Sequence, residues 1–214
     1  MQNNEDKEIL TELQKIMKNK ENWENNIDNV ALKLNENYSI AVKAKSLWLL
    51  GEMGLKYPIN VEKYIECIVN YLYSEHPKLR ERAVNALGRI GRADSNLVIP
   101  YLDKLIKMMG DDADNVRHSV IWACENIAIN NPDLFFGKLD LFYELLFDSC
   151  EKVRIEAPEM FRVVGKRKPS YVKPYLEKLQ YFAENDTNRV VRIHSVGAIR
   201  ITKKALNDMD TKTN

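Results

Sequence analysis

Residues Lys78–Gly91 read KLRERAVNALGRIG, and much the same helix returns as DNVRHSVIWACENIA at Asp114–Ala128 and KVRIEAPEMFRVVG at Lys152–Gly165. Aligned on their opening basic residue, five copies place Lys43, Arg80, Arg117, Arg154 and Arg192 at steps of 37, 37, 37 and 38 residues. An aliphatic residue precedes each: Val42, Leu79, Val116, Val153 and Val191. Seven residues on stand Leu50, Leu87, Cys124, Phe161 and Ile199; ten on stand Met53, Ile90, Ile127, Val164 and Thr202. Steps of three and four residues place these on one stripe of a helix, which predicts a buried face.

The connecting segments repeat too. PYLDKL (Pro100–Leu105) and PYLEKL (Pro174–Leu179) lie two periods apart, with KYIECI (Lys63–Ile68) and GKLDLF (Gly137–Phe142) in the phases between and beside them. Each unit is predicted to be two antiparallel helices and a short turn. A pair this small cannot bury its apolar faces alone, so neighbouring units must stack. Six residues before each basic residue stand Asn37, Ser74, Asp111, Asp148 and Asp186, all suited to a cap or turn between the paired helices.

These residues carry a resemblance. The pattern resembles HEAT repeats, and AVNALGRIG in particular resembles the short HEAT-like variety of phycobilisome-lyase-type proteins. The resemblance covers about residues 22–206. It implies an all-α, right-handed α-solenoid of about five helix pairs, with repeats near 22–55, 60–92, 96–130, 133–167 and 170–206. It also implies a hydrogen-bonded ladder through the stack, carried here by Asp111, Arg117, Asp148, Arg154, Asp186 and Arg192, with Arg80 opposite Ser74 and Lys43 opposite Asn37. One repeat domain is expected over residues 1–206, with a capping helix at 5–18 and a disordered polar tail at 207–214. Two departures stand out. Pro158 lies inside the fourth second helix, predicting a bend or a late start. Thr202 and Lys203 replace apolar and small residues in the last unit, as at an end that meets water.

Composition narrows function. Hydrophobic residues make up 45% and charged residues 29% of 214, enough for a core. No apolar run approaches the roughly 18 residues of a membrane span. The polar, acidic opening MQNNEDKEIL lacks signal-peptide character, and three cysteines without C-x-x-C spacing argue against a disulfide framework or a zinc site. A cytoplasmic protein is the expectation. The formal charge of +1 conceals a gradient: residues 1–36 hold eight acids and five lysines, residues 162–204 eleven Lys/Arg and three acids.

In solenoids of this kind the second helices line the concave side. The positions opposite the buried stripe lie one, five, eight and twelve after the basic residue. Trp48 and Trp122 share the fifth with Asn85, Glu159 and Gly197. Ile155 and Ile193 share the first, Arg162 and Arg200 the eighth, Lys166 and Lys204 the twelfth. The expected reading is a non-enzymatic protein-interaction scaffold: the two tryptophans and two isoleucines anchor a partner segment, and the four basic residues hold an acidic part of it. The alternative is nucleic-acid binding through the basic C-terminal repeats, with the tryptophans stacking on bases. A HEAT-like alkylpurine DNA glycosylase, built on Trp122 and Glu125, is the enzymatic variant. His76, His118 and His194 form no metal or catalytic motif and no His-Glu dipeptide is present, so no metal and no cofactor are expected.

Overall fold

The computed structural model describes residues 2–35 and 37–213. Its described residues are helical throughout, joined by turns, and they group into two compact units, residues 1–108 and 109–214. The division falls inside the third repeat, between its two helical limbs.

The first unit opens with α1 (Gln2–Lys18), followed by α2 (Ile27–Leu32) and α3 (Ile40–Lys56). Then come α4 (Pro58–Val61), α5 (Ile65–Asn70), α6 (Pro77–Ala93) and α7 (Leu102–Lys107). Helix α3 packs along α6, α1 docks on α3, and α2 and α5 back their own long helices. Trp23 seals the start of this stack: it is buried, and its indole N–H donates to Ile16 O at 2.9 Å. The second unit contains α8 (Asp114–Asn130), α9 (Leu139–Glu144), α10 (Glu151–Arg167), α11 (Pro169–Val172), α12 (Leu176–Asn185) and α13 (Arg189–Thr213). Here α10 lies between α8 and α13, backed by α9, while α12 backs α13.

The long helices keep strict time. Helices α3, α6, α8 and α10 are each 17 residues long and begin 37 residues apart. The stripe read from sequence forms the core: every residue just before the basic position is at most 3% exposed, and every residue ten after it is fully buried. The first limb of each repeat is less regular than a single helix. In the third repeat it is a short α segment flanked by 3₁₀ turns, Ile99–Tyr101, α7 and Met108–Gly110, whereas in the last repeat α12 follows one 3₁₀ turn and runs on to the turn at Asp186. Pro100 and Pro174 remove an N–H at this break in two repeats; Lys63 and Gly137 occupy the same place without a proline.

Three expectations change. Helix α10 does not start late, since Pro158 sits buried inside a helix with the same span as its siblings. Pro158 takes the apolar place held elsewhere by Leu47, Val84 and Ile121, so its ring serves as packing volume. Thr202 does not face water; it is fully buried, its hydroxyl donating to Ala198 O at 2.9 Å, which satisfies the polar group within its own helix. Val196, at the phase of Pro158 in that repeat, turns outward, at 51% exposure. Residues 207–213, expected as a disordered tail, continue α13.

A further period emerges eleven residues after the basic position, where Gly54, Gly91, Ala128 and Gly165 recur. A Cβ on Gly54 would stand 2.5 Å from Ile90 Cγ1, and one on Gly165 2.0 Å from Thr202 Oγ1. Gly54 and Gly165 let the next long helix, α6 and α13 respectively, press its buried stripe against the helix backbone.

Candidate partner-binding faces of the long helices

In the first unit Trp48 is half-buried on α3 and lines a hollow with Leu10 of α1, Ile40, Ala41 and Ala44 of α3, and Lys78 and Arg82 of α6. Lys45, one turn before it, holds its ammonium 4.5 Å from the indole centroid, a cation–π distance. Partial burial of Lys45 pulls its pKa below the ordinary lysine value, and the Arg82 guanidinium adds to this. Glu81 faces Lys78 at 3.0 Å and Arg82 at 3.8 Å. The hollow is apolar at its base and rimmed by cations. Sequence phase identified the Trp but missed Lys45 and Arg82, whose phases lie at the edges of the helix face.

In the second unit the turn residues do two jobs. Asp111, Asp148 and Asp186 each accept the backbone N–H two residues on, at 2.7–2.9 Å, just ahead of the long helix. Ser74 does the same for His76 at 3.2 Å in the first unit. The arginines join these turns. Arg117 Nη1 donates to Asp111 O at 2.8 Å, while Nε and Nη2 donate to both Asp148 oxygens at 2.7 and 2.8 Å. Arg154 repeats this with Asp148 O at 2.9 Å and the Asp186 carboxylate at 3.2 Å, and Arg192 donates to Asp186 O at 2.6 Å. Arg117 and Arg154 therefore each bind the backbone of their own turn and the carboxylate of the next, while Arg192, in the last repeat, binds the backbone of its own turn. Arg80 Nη1 donates to Ser74 O at 2.9 Å. Hydrogen bonding from Arg117 holds the Asp148 carboxyl below the usual aspartate range, against the opposing effect of burial.

Trp122 is half-buried on α8, and its carbonyl accepts from Asn126 Nδ2 at 2.8 Å. Ile155 is half-buried on α10 and Ile193 is 53% exposed on α13. Arg162, Lys166, Arg200 and Lys204 are exposed. Arg162 is engaged by Glu159 one turn earlier, so part of its charge is already matched.

Glu125 departs most from its expected place. It shares the phase of Arg162 and Arg200, yet is only 9% exposed, and its Oε1 is enclosed without a hydrogen-bond partner. Burial first, then Glu156 and Glu159 of α10, push its pKa up to about 9, with Arg162 opposing. Around it, Glu156 Oε2 lies 3.7 Å from His118 Nε2, and Glu159 Oε1 lies 3.3 Å from His194 Nδ1. His194 Nδ1 also lies 2.9 Å from Ile155 O. A carboxyl held neutral and buried is not the exposed carboxylate that the glycosylase variant requires. Cys124 beside it is buried, and burial pushes its thiol well above the ordinary range, so it is packing. Among the described residues no group of three or more His, Cys, Asp or Glu converges to hold a metal, and no helix is long and apolar enough to cross a membrane.

Residues 27–123 match a family model described as HEAT repeats. A designed armadillo repeat protein in complex with the peptide (KR)4 superposes with a TM-score of 0.67 at 20% identity, covering 88% of this chain and 86% of that one. A computationally designed armadillo repeat protein for modular peptide recognition gives 0.65 at 19%, covering 88% and 86%. An engineered protein gives 0.64 at 18%, covering 84% and 80%. No curated protein matches significantly in sequence. The fold class is therefore the all-α solenoid built from about five helix pairs behind an N-terminal helix. Within that class its helix pairs resemble HEAT repeats over residues 27–123 and superpose on designed armadillo repeats.

Proposed function

We propose that this chain is a non-enzymatic scaffold that holds a segment of a protein partner against the exposed faces of its long helices. One observation carries the reading. Trp48 is half-buried in an apolar hollow bordered by Lys45, Lys78 and Arg82. A hot spot needs such a large rigid side chain, with shelter from water and a polar rim. Trp122, Ile155 and Ile193 are the further anchors. Arg162, Lys166, Arg200 and Lys204 meet an acidic part of the partner, Arg162 with the smallest share because Glu159 engages it. The designed relatives, one bound to (KR)4 and one made for peptide recognition, support a segment as the kind of ligand. The Asp–Arg turns of the ladder hold the helices in register. Residues 1–206 make one repeat domain in this reading. The short phycobilisome-lyase-type variety suggested by AVNALGRIG describes the repeats, and the cytoplasm is the compartment.

A second reading has its own support. Lys166, Arg200 and Lys204 are exposed on α10 and α13, which pack together, and basic residues so placed suit phosphates. Capture from lysate with and without nuclease separates the two. The scaffold reading expects a protein retained after nuclease and lost from a folded Trp48→Ala/Trp122→Ala variant. Recovery of nucleic acid, undiminished in that variant, would replace the scaffold with the basic surface.

A further inference from the structure

We propose that the surface around Glu125 is a receptor for one positively charged group, a lysine or arginine side chain of the bound segment. The buried Glu125 carboxyl of α8 lies within the electrostatic reach of two further carboxylates, Glu156 and Glu159 of α10, which packs along α8. The Arg162 guanidinium acts on Glu125 in the opposite sense, and it is engaged by Glu159. The imidazoles of His118 and His194 face Glu156 and Glu159 at 3.7 and 3.3 Å. Among the described residues no comparable pair at hydrogen-bond distance is seen for Glu125 Oε1. Its Oε1 has no hydrogen bond although the residue is nine-tenths buried.

A buried carboxyl without a partner is costly in either state. Ionised, it lacks a counter-charge; neutral, it still leaves a polar oxygen unsatisfied. A cationic donor removes both deficits at once, supplying charge and N–H groups together. An anion would meet a surplus of carboxyls. A metal ion needs several ligands converging within coordination distance, and no such group exists among the described residues. Trp122, three residues before Glu125 on α8 and half-buried, gives the same surface an aromatic ring, and indole is the side chain best suited to a cation. The site thus adds a basic residue to the acidic segment assigned above. It rests on the scaffold reading only in taking the cation to belong to a bound segment.

Ionisation and binding are then one event. Glu125 must release its proton as the cation arrives, with Glu156, Glu159 and Arg162 of α10 and, behind them, His118 and His194 as the surrounding charges. The test uses the full chain and a hexa-arginine peptide, with calorimetry at pH 7.5 in two buffers of different ionisation heat. Wild type is expected to release about one proton per peptide bound. Its affinity should rise as pH goes from 7 towards 9, by up to about tenfold per unit. Glu125→Gln keeps the shape and should bind at least about tenfold more weakly with no proton release. Glu151→Gln, exposed at the start of α10, should match wild type. Helicity and melting of Glu125→Gln at or above wild type exclude unfolding as the cause. Equal binding by wild type and Glu125→Gln, binding without proton release, or no binding overturns the proposal. If hexa-arginine binding depends on Glu125 while partner capture is indifferent to both tryptophans, the cation site stands and the scaffold reading falls. The opposite pattern spares the scaffold alone.

Discussion

Arg117 grips both oxygens of Asp148, thirty-one residues ahead, while a third nitrogen of the same guanidinium holds the carbonyl of Asp111. The pair is largely enclosed, with 14% and 8% of the two side chains exposed. A planar fork suits this double contact, and lysine cannot reproduce it. Because both groups are desolvated, removing one strands the other. Asp148→Asn is expected to cost about 3 kcal/mol in urea denaturation, and Arg117→Lys nearly as much. Less than about 0.5 kcal/mol would show that the joint is ornamental.

The same joint sets an acid limit. The Asp148 carboxyl is held below its ordinary value by Arg117, so its contribution is fully present above the unfolded pKa near 4. It disappears as pH falls through the lower folded value. Wild type should lose stability below pH about 4 more steeply than Asp148→Asn, and parallel acid curves for the two would refute this.

Glu125 works in the other direction. Its folded pKa, pushed up to about 9, lies above the unfolded value. The folded state therefore holds a proton that the unfolded chain has given up, and stability declines as pH rises between those two values. Glu125→Gln should match wild type near pH 4. It should gain on it by up to about 1.4 kcal/mol per pH unit towards pH 9, read as melting temperature against pH. A constant difference across that range would mean that Glu125 is ionised throughout.

At Gly165, α10 lies directly against Thr202 of α13. A methyl there would overlap Thr202 Oγ1. Gly165→Ala should cost about 1–3 kcal/mol, as overpacking does, and Thr202→Ala in the same chain should restore part of the loss. Gly110→Ala, which meets nothing within 4 Å, is the matched control. Equal effects at the two glycines would remove the packing argument.

The long helices were legible in the sequence because burial acts at every turn. Val116, Cys124 and Ile127 recur in phase with Val153, Phe161 and Val164, and a fixed period is hard to hide. The face opposite was legible only in part. Phase alone placed Glu125 with Arg162 and Arg200 in water, whereas Glu125 is buried on α8 and the two arginines are exposed. Helical phase gives a direction; depth depends on the neighbour's side chains. Thr202 shows the same limit, since its polarity suggested solvent while a carbonyl one turn back lets it sit buried opposite a glycine. A glycine period eleven residues after the basic position was the readable signal for that close approach.

The central claim is that aromatic anchors on the long helices hold a partner segment. Its most direct test is the affinity of the segment recovered by capture, measured at two salt concentrations for wild type, Trp48→Ala and Trp122→Ala. The scaffold account predicts a loss of about 2 kcal/mol or more in at least one folded variant, with shallow salt dependence in wild type. Affinity unchanged in both variants and falling steeply with salt would contradict it, and would leave the exposed lysines and arginines of α10 and α13 as the working surface.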